Sequence, residues 1–158
     1  MNIQAYQTWT DQTAIYREAG SNSINEIMYL TLGLSGKVAK VTAELCAEGR
    51  SEAKIIRELG YCYWYATRLA RIVQLDLNSI PELDISKTLF EECLVTGEIC
   101  NKVKRLYSDP VNIGVKEEIR SYLSDLIAMF RRIADNFMIK ESVVLSRNVA
   151  KLSQRVER

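Results

Sequence analysis

Residues 32–40 read LGLSGKVAK, and residues 58–61 read ELGY. Both segments lie in stretches whose apolar residues recur every three to four positions, which is the period of an amphipathic helix. Side chains three positions apart project onto the same face of a helix, so each segment presents a pair of side chains on one face. Two such helices packed side by side therefore direct four side chains towards a single point.

The rest of the chain predicts the same class of structure. Its 158 residues include only two prolines and seven glycines, and no stretch shows the alternation of a half-buried strand. Ser23, which precedes Glu26 in a capping-box pattern, and Ser51 are expected to cap helix N-termini. We therefore predict an all-α protein. Its helices are expected at residues 2–18, 24–48, 51–75, 85–107, 115–138 and 142–155.

The two opening segments resemble those of a known family. Gly-Leu-Ser-Gly followed by x-x-x-Lys at residues 33–40, and Glu-Leu-Gly-x-x-x-Trp-Tyr at residues 58–65, resemble the MazG-like, all-α nucleoside triphosphate pyrophosphohydrolases. The resemblance implies an E-x-x-E pair on one helix and an E-x-x-D pair on the next, whose four carboxylates hold magnesium for hydrolysis of a triphosphate to the monophosphate and pyrophosphate. The residues at these four positions here are Lys37, Lys40, Glu58 and Tyr61.

Two interpretations of this substituted set stay open. Two unit charges of like sign repel each other by roughly 4 kcal/mol at 4 Å and an effective dielectric constant near 20. Two lysines are therefore expected to abolish magnesium binding at this place. In the structural interpretation, Lys37 or Lys40 forms an ion pair with Glu58 across the two helices. In the functional interpretation, the lysines replace the metal and hold a phosphate group directly.

The second half of the chain is similar to the first. Residues 96–102 (TGEICNK) align with residues 35–41 (SGKVAKV), and residues 122–125 (YLSD) align with residues 58–61 (ELGY). Because any two amphipathic helices share apolar periodicity, coincidence is the alternative to a repeat. A generic helical bundle with no family tie is the further alternative if the matches at residues 36–40 and 58–61 are accidental. The similarity predicts a helical bundle built from two MazG-like helical halves in tandem.

This repeat predicts one all-α domain over residues 1–158, with halves at residues 1–80 and 84–158, and it defines a second set of functional positions. The residues at these positions are Glu98, Asn101, Tyr122 and Asp125. The two acids of this set could hold one Mg²⁺ ion, with water completing its coordination. Glu58 is the candidate magnesium ligand of the first half. The alternative is that the acids of the second half are ordinary surface residues.

The C-terminal helix carries a further part of the resemblance. Residues 148–155 read NVAKLSQR, which resembles the N-x-x-K-L-x-x-R ending of many members of this family. The resemblance implies that Asn148, Lys151 and Arg155 contact the phosphates or the sugar of a nucleotide. Their spacing places all three on one helical face, so a solvated polar face on a terminal helix is the alternative.

Four aromatic residues follow one another closely on the third predicted helix: Tyr61, Tyr63, Trp64 and Tyr65. Such side chains can stack on a nucleotide base or pack in a core. Because they point to all sides of one helix, they also favour a subunit interface, and we predict a homodimer.

Composition narrows the classes of partner. The net charge is +1 with no basic arm or acidic tail, so we expect neither nucleic acid nor a membrane surface as partner. No run of apolar residues is long enough for a membrane span, and the first residues lack the pattern of a signal peptide. We therefore expect a cytoplasmic protein. Histidine is absent and the four cysteines show no C-x-x-C spacing, so we expect no structural zinc site.

Two functional hypotheses follow. The first is a MazG-like nucleotide pyrophosphohydrolase whose magnesium-dependent activity on a nucleoside triphosphate is weak, or is confined to the half that contains Glu98 and Asp125. The second is a non-catalytic helical module that keeps the fold for dimerisation, regulation or nucleotide binding.

Overall fold

The computed structural model describes residues 1–82 and 91–156, and every regular element in these ranges is helical. The all-α prediction is therefore confirmed. None of the described helices combines the length and the apolar character needed to cross a bilayer. The helices are α1 (Ile3–Thr10), α2 (Ile24–Cys46), α3 (Glu52–Ile72), α4 (Glu91–Ser108), α5 (Ile113–Asn136) and α6 (Glu141–Val156).

The predicted helix boundaries are close to the observed ones except in the first helix. Ser23 and Ser51 cap α2 and α3 as expected, since their side chains accept hydrogen bonds from the backbone N–H groups of Glu26 and Lys54. The prediction of a helix over residues 2–18 is wrong, because α1 ends at Thr10 and a short 3-10 turn follows. The predicted beginning of the fourth helix, residues 85–90, lies outside the described residues.

Tertiary contacts of the Glu26 carboxylate explain the early end of α1. This side chain is fully buried, and it accepts hydrogen bonds from the Tyr16 hydroxyl (2.6 Å) and from the backbone N–H groups of Gly20 (2.9 Å) and Asn22 (2.7 Å). Arg68 Nη2 lies 3.6 Å from Glu26 Oε1. The segment between α1 and α2 is thus wrapped around a buried charge. A helix continuing to residue 18 would not present these donors in this way.

Helices α2 to α5 form a bundle in which neighbouring helices run antiparallel. The pairs α2–α3 and α4–α5 are hairpins, and α2 packs on α4 while α3 packs on α5, which gives the order α2, α3, α5, α4 around the bundle. Two contacts fix the direction of α3 against α5. The rings of Tyr63 and Phe130 pack edge to face, and just past the end of α3 Arg120 Nε donates to the Val73 carbonyl at 2.9 Å.

Helices α1 and α6 pack on the outside of α3. The buried apolar residues of all six helices form one continuous cluster, so the two predicted halves share a single core. The tandem arrangement of MazG-like halves itself stays a prediction. For the candidate site, the important consequence is that α3 lies between α2 on one side and α6 on the other.

Candidate functional site

The first set of predicted positions lies where α2 and α3 face each other. Lys37 Nζ is 2.9 Å from Glu58 Oε2, and Arg57 Nε is 3.2 Å from Glu58 Oε1. The ion pair of the structural interpretation therefore forms, and Lys37 rather than Lys40 makes it. Lys40 is exposed on α2 and takes part in no ion pair among the described residues.

The Glu58 carboxyl is adapted to these cations. Its side chain is 11% exposed, and this burial by itself raises the pKa of the carboxyl. The hydrogen bonds and charges of Lys37 and Arg57 outweigh the burial, so the pKa of Glu58 lies below its ordinary value. Glu58 is therefore ionised near neutral pH, and both of its oxygens are engaged by protein cations.

Tyr61, one turn further along α3, is the meeting point of cations from two helices. Its ring centroid lies 4.3 Å from Lys37 Nζ of α2, 5.0 Å from Lys151 Nζ of α6 and 5.8 Å from Arg155 Cζ of α6. Arg155 Nη2 also donates a hydrogen bond to the Tyr61 hydroxyl at 3.1 Å. These distances are typical of cation–π contacts. Tyr61, at a position where the resemblance implies a carboxylate, thus has positive charge gathered around it.

Asn148 has a different environment from the two cations that follow it on α6. It is buried, and its Oδ1 accepts a hydrogen bond from the buried hydroxyl of Tyr6 at 2.7 Å. A Cβ atom built at Gly60 would lie 2.9 Å from Asn148 Cβ, so the glycine lets α6 approach α3 closely. The alternative of a fully solvated polar face is wrong for Asn148.

Two cavities are lined by cations of α6, and Tyr61 lines one of them. One, which we call the basic cavity, has a volume of about 230 Å³. The residues that line it are Ala53, Ile56, Arg57, Arg147, Asn148 and Lys151. The other, which we call the aromatic cavity, has a volume of about 180 Å³. The residues that line it are Thr13, Ile15, Tyr16, Tyr29, Tyr61, Trp64, Tyr65, Leu152, Arg155 and Val156.

Five basic residues therefore belong to one surface of the protein, which we call the basic cluster. They come from three helices, and the Glu58 carboxylate is in direct contact with two of them. The cluster exceeds that carboxylate by four formal charges, whereas the whole chain carries a net charge of only +1. Its members are Lys37, Arg57, Arg147, Lys151 and Arg155.

The second set of predicted positions lies on the α4–α5 hairpin. An ion pair between Lys102 and Glu118 fixes the register of the two helices. Glu98 precedes Lys102 by four residues and Tyr122 follows Glu118 by four residues, so Glu98 and Tyr122 lie at the same level of the hairpin. Asp125 lies about one helical turn further along α5. Glu98 and Asn101 are exposed, while Tyr122 and Asp125 are half-buried. Among residues 1–82 and 91–156, no three acidic or cysteine side chains are grouped so as to hold a metal ion.

The aromatic residues of α3 are largely covered by the chain itself. Tyr63 is buried and donates its hydroxyl hydrogen to Glu141 Oε2 at 2.9 Å, and Trp64 is buried with its indole N–H donated to Thr13 Oγ1 at 2.8 Å. Core packing therefore accounts for these two rings without a partner subunit. The half-buried rings of Tyr61 and Tyr65 line the aromatic cavity, and Trp64 contributes to the same lining.

Sequence reasoning missed several residues of this site. Arg57 and Arg147 each lie next to a residue that was singled out, but an arginine on an amphipathic helix carries no pattern that identifies it. Tyr16 and Tyr29 stack on each other with ring centroids 4.4 Å apart, although they come from separate segments of the chain. Only the folded arrangement brings them to Tyr65 and the aromatic cavity.

Comparison with known proteins does not assign the chain to a family. No family model matches the chain. The chain is similar to the Gene 37 protein of Mycobacterium phage L5, with 28% identity over 97 residues, which cover 55% of this chain and 85% of the phage protein. No solved structure matches the chain.

Proposed function

We propose that this chain is a divergent MazG-like helical module that binds a nucleotide without hydrolysing it. The phosphates bind to the basic cluster, and the base enters the aromatic cavity. The observation that carries this proposal is the gathering of Lys37, Lys151 and Arg155 around the Tyr61 ring, within 4.3 to 5.8 Å of its centroid.

The chemistry of both parts suits such a ligand. Arginine offers a planar fork of donors to phosphate oxygens, and lysine a compact charge. Aromatic rings stack on any base, since every base has a π-face. Arg155 of the basic cluster also lines the aromatic cavity, as does Tyr61, whose ring contacts three members of the cluster. One ligand with an anionic end and an aromatic end can therefore occupy both. A cytoplasmic location, where nucleotides are abundant, is part of this proposal.

The absence of hydrolysis follows in this proposal from the state of Glu58. Both of its oxygens bind protein cations, at 2.9 Å and 3.2 Å. They are therefore poorly placed to bind magnesium or to take a proton from an attacking water. We expect no pyrophosphate release from common or deoxy nucleoside triphosphates, with or without Mg²⁺, at high protein concentration.

The binding experiment is isothermal titration calorimetry with a panel of nucleoside triphosphates. Replacement of Arg155 or Lys151 by alanine should weaken binding about tenfold, the usual effect of losing one charge-assisted hydrogen bond. Lys104→Ala, which removes an exposed cation from the distant α4 helix, is the matched control and should leave affinity unchanged. No binding of any nucleotide by the wild-type protein, or equal losses in all three variants, would refute the proposal.

The pyrophosphohydrolase hypothesis is tested by the same release assay. The helical register that places Asp125 one turn from the level of Glu98 is compatible with a weak magnesium site there. Magnesium-dependent pyrophosphate release that disappears in Glu98→Ala would support that hypothesis over the non-catalytic one. The predicted homodimer is a separate question, and sedimentation equilibrium of the wild-type chain answers it.

A further inference from the structure

The MazG-like resemblance implies a magnesium ion between α2 and α3, but the donor atoms at that place do not fit one. Magnesium takes oxygen ligands at about 2 Å. Both Glu58 oxygens are engaged, one by the Lys37 ammonium at 2.9 Å and the other by Arg57 Nε at 3.2 Å. Tyr61 offers a phenol oxygen that already accepts a hydrogen bond from Arg155 at 3.1 Å. A divalent ion bound to these atoms would meet three protein cations, and neither Glu58 oxygen would be free to bind it.

The Lys37 ammonium can supply the charge that the metal would have supplied. An ammonium group has three N–H donors, and the contact with Glu58 uses one of them. The Tyr61 ring lies 4.3 Å from the same nitrogen, and at least one further N–H donor is left for phosphate oxygens. Glu58 and the face of the Tyr61 ring hold the ammonium in position, so little side-chain entropy is lost when a ligand binds. In this arrangement Glu58 is a positioning residue rather than a ligand-binding one.

Resting on the proposed function, we infer that the site binds its nucleotide as the metal-free anion, with Lys37 in the place of the divalent cation. A magnesium ion on the phosphates would occupy oxygens that Lys37 and the α6 cations need. It would also neutralise part of the negative charge that attracts the basic cluster. The site therefore selects the free nucleotide over its magnesium complex.

The test is calorimetric titration with ATP in two buffers of matched ionic strength, one with EDTA and one with magnesium chloride in excess over ATP. The dissociation constant should be about tenfold lower in EDTA, which corresponds to one charge-assisted contact. Equal or tighter binding in magnesium would overturn the inference while leaving the proposed function intact. If ATP binds in neither buffer and no other nucleotide does, the proposed function itself fails.

Variants of Lys37 test whether this residue causes the preference for the metal-free nucleotide. Lys37→Met should weaken binding in EDTA about tenfold and abolish the difference between the buffers, whereas Lys40→Met, the exposed neighbour, should behave as wild type. Lys37→Arg keeps a cation and should therefore keep the preference for the metal-free form. If Lys37→Met melts below the assay temperature, Lys37→Arg is measured in its place, and loss of the preference in this variant would contradict the role of the cation. A preference for EDTA that survives unchanged in folded Lys37→Met would remove Lys37 from the explanation.

Discussion

Lys37 of α2 and Glu58 of α3 form an ion pair with 2.9 Å between Nζ and Oε2. They occupy two positions at which the MazG-like resemblance implies magnesium-binding carboxylates. The pair joins two helices of the bundle, and it brings the α2 ammonium to the Tyr61 ring. The same contact therefore contributes to stability and to the charge of the candidate site.

The stability contribution of this pair can be measured by replacing its cation. Lys37→Met should lower the free energy of unfolding by about 1–2 kcal/mol, because the partly buried Glu58 carboxylate loses one of its two cations. The loss is limited because Arg57 still pairs with Glu58. Lys40→Met should change it by less than about 0.5 kcal/mol, as expected of an exposed residue. Urea denaturation at neutral pH measures both values. If the free energy of unfolding fell as much in Lys40→Met as in Lys37→Met, the stabilisation could not be attributed to the ion pair between Lys37 and Glu58.

Acid should destabilise the protein through Glu26 and Glu58. Burial raises the pKa of each carboxyl by itself, but hydrogen bonds and nearby cations outweigh it, so both pKa values lie below the ordinary one in the folded chain. A carboxyl of this kind stabilises the fold above its unfolded-state pKa of about 4.3. That stabilisation is lost as the pH falls through the folded-state pKa.

The variant Glu26→Gln separates this effect from general acid sensitivity. Its stability should be lower at pH 7 but should fall less steeply than that of the wild type between about pH 5 and pH 3. The measurement is the urea midpoint at several pH values in this range. Parallel pH profiles for the two proteins would exclude Glu26 as a source of the acid sensitivity.

The close approach of α3 and α6 should make Gly60 intolerant of a side chain. A Cβ atom there would lie 2.9 Å from Asn148 Cβ, so Gly60→Ala should destabilise the fold by about 1–3 kcal/mol through overpacking. Gly36→Ala is the matched control, because a Cβ atom added there would meet nothing within 4 Å beyond the backbone of its own helix. It should instead stabilise α2 by roughly 0.5–1 kcal/mol. Thermal melting of both variants would reveal the opposite signs, and equal shifts would contradict the packing argument.

The buried hydrogen bond between Tyr6 and Asn148 should matter for both stability and binding. Tyr6→Phe removes the donor and leaves Asn148 Oδ1 unsatisfied in the interior, at a cost of about 1–3 kcal/mol. Because Asn148 lies in the lining of the basic cavity, the variant should also bind nucleotide more weakly. Tyr107→Phe, at an exposed position on α4, should change neither property. Chemical denaturation and calorimetry compare the wild type with the two variants. A Tyr6→Phe variant with wild-type stability and wild-type affinity would contradict the prediction.

Local patterns in the sequence were sufficient to predict most of the helices and the side of the site where α2 faces α3. Ser23 and Ser51 cap α2 and α3 as predicted, and helical spacing with a short connection brought Lys37 towards Glu58. They failed for residues 11–18, where apolar spacing indicated a helix. There the buried Glu26 carboxylate accepts hydrogen bonds from the segment that precedes α2. No local pattern encodes such a contact between segments.

The sequence alone determined the all-α class and the facing of residues 37 and 58, because both depend on the period of a helix and on hairpin geometry. Only the tertiary structure decided that α6 lies against α3 and brings Lys151 and Arg155 to the Tyr61 ring. The reason is that the fit of α6 depends on Gly60, Asn148 and Tyr6, which come from three separate helices. Amphipathic spacing shows which face of a helix is buried, but it does not show which other helix buries it.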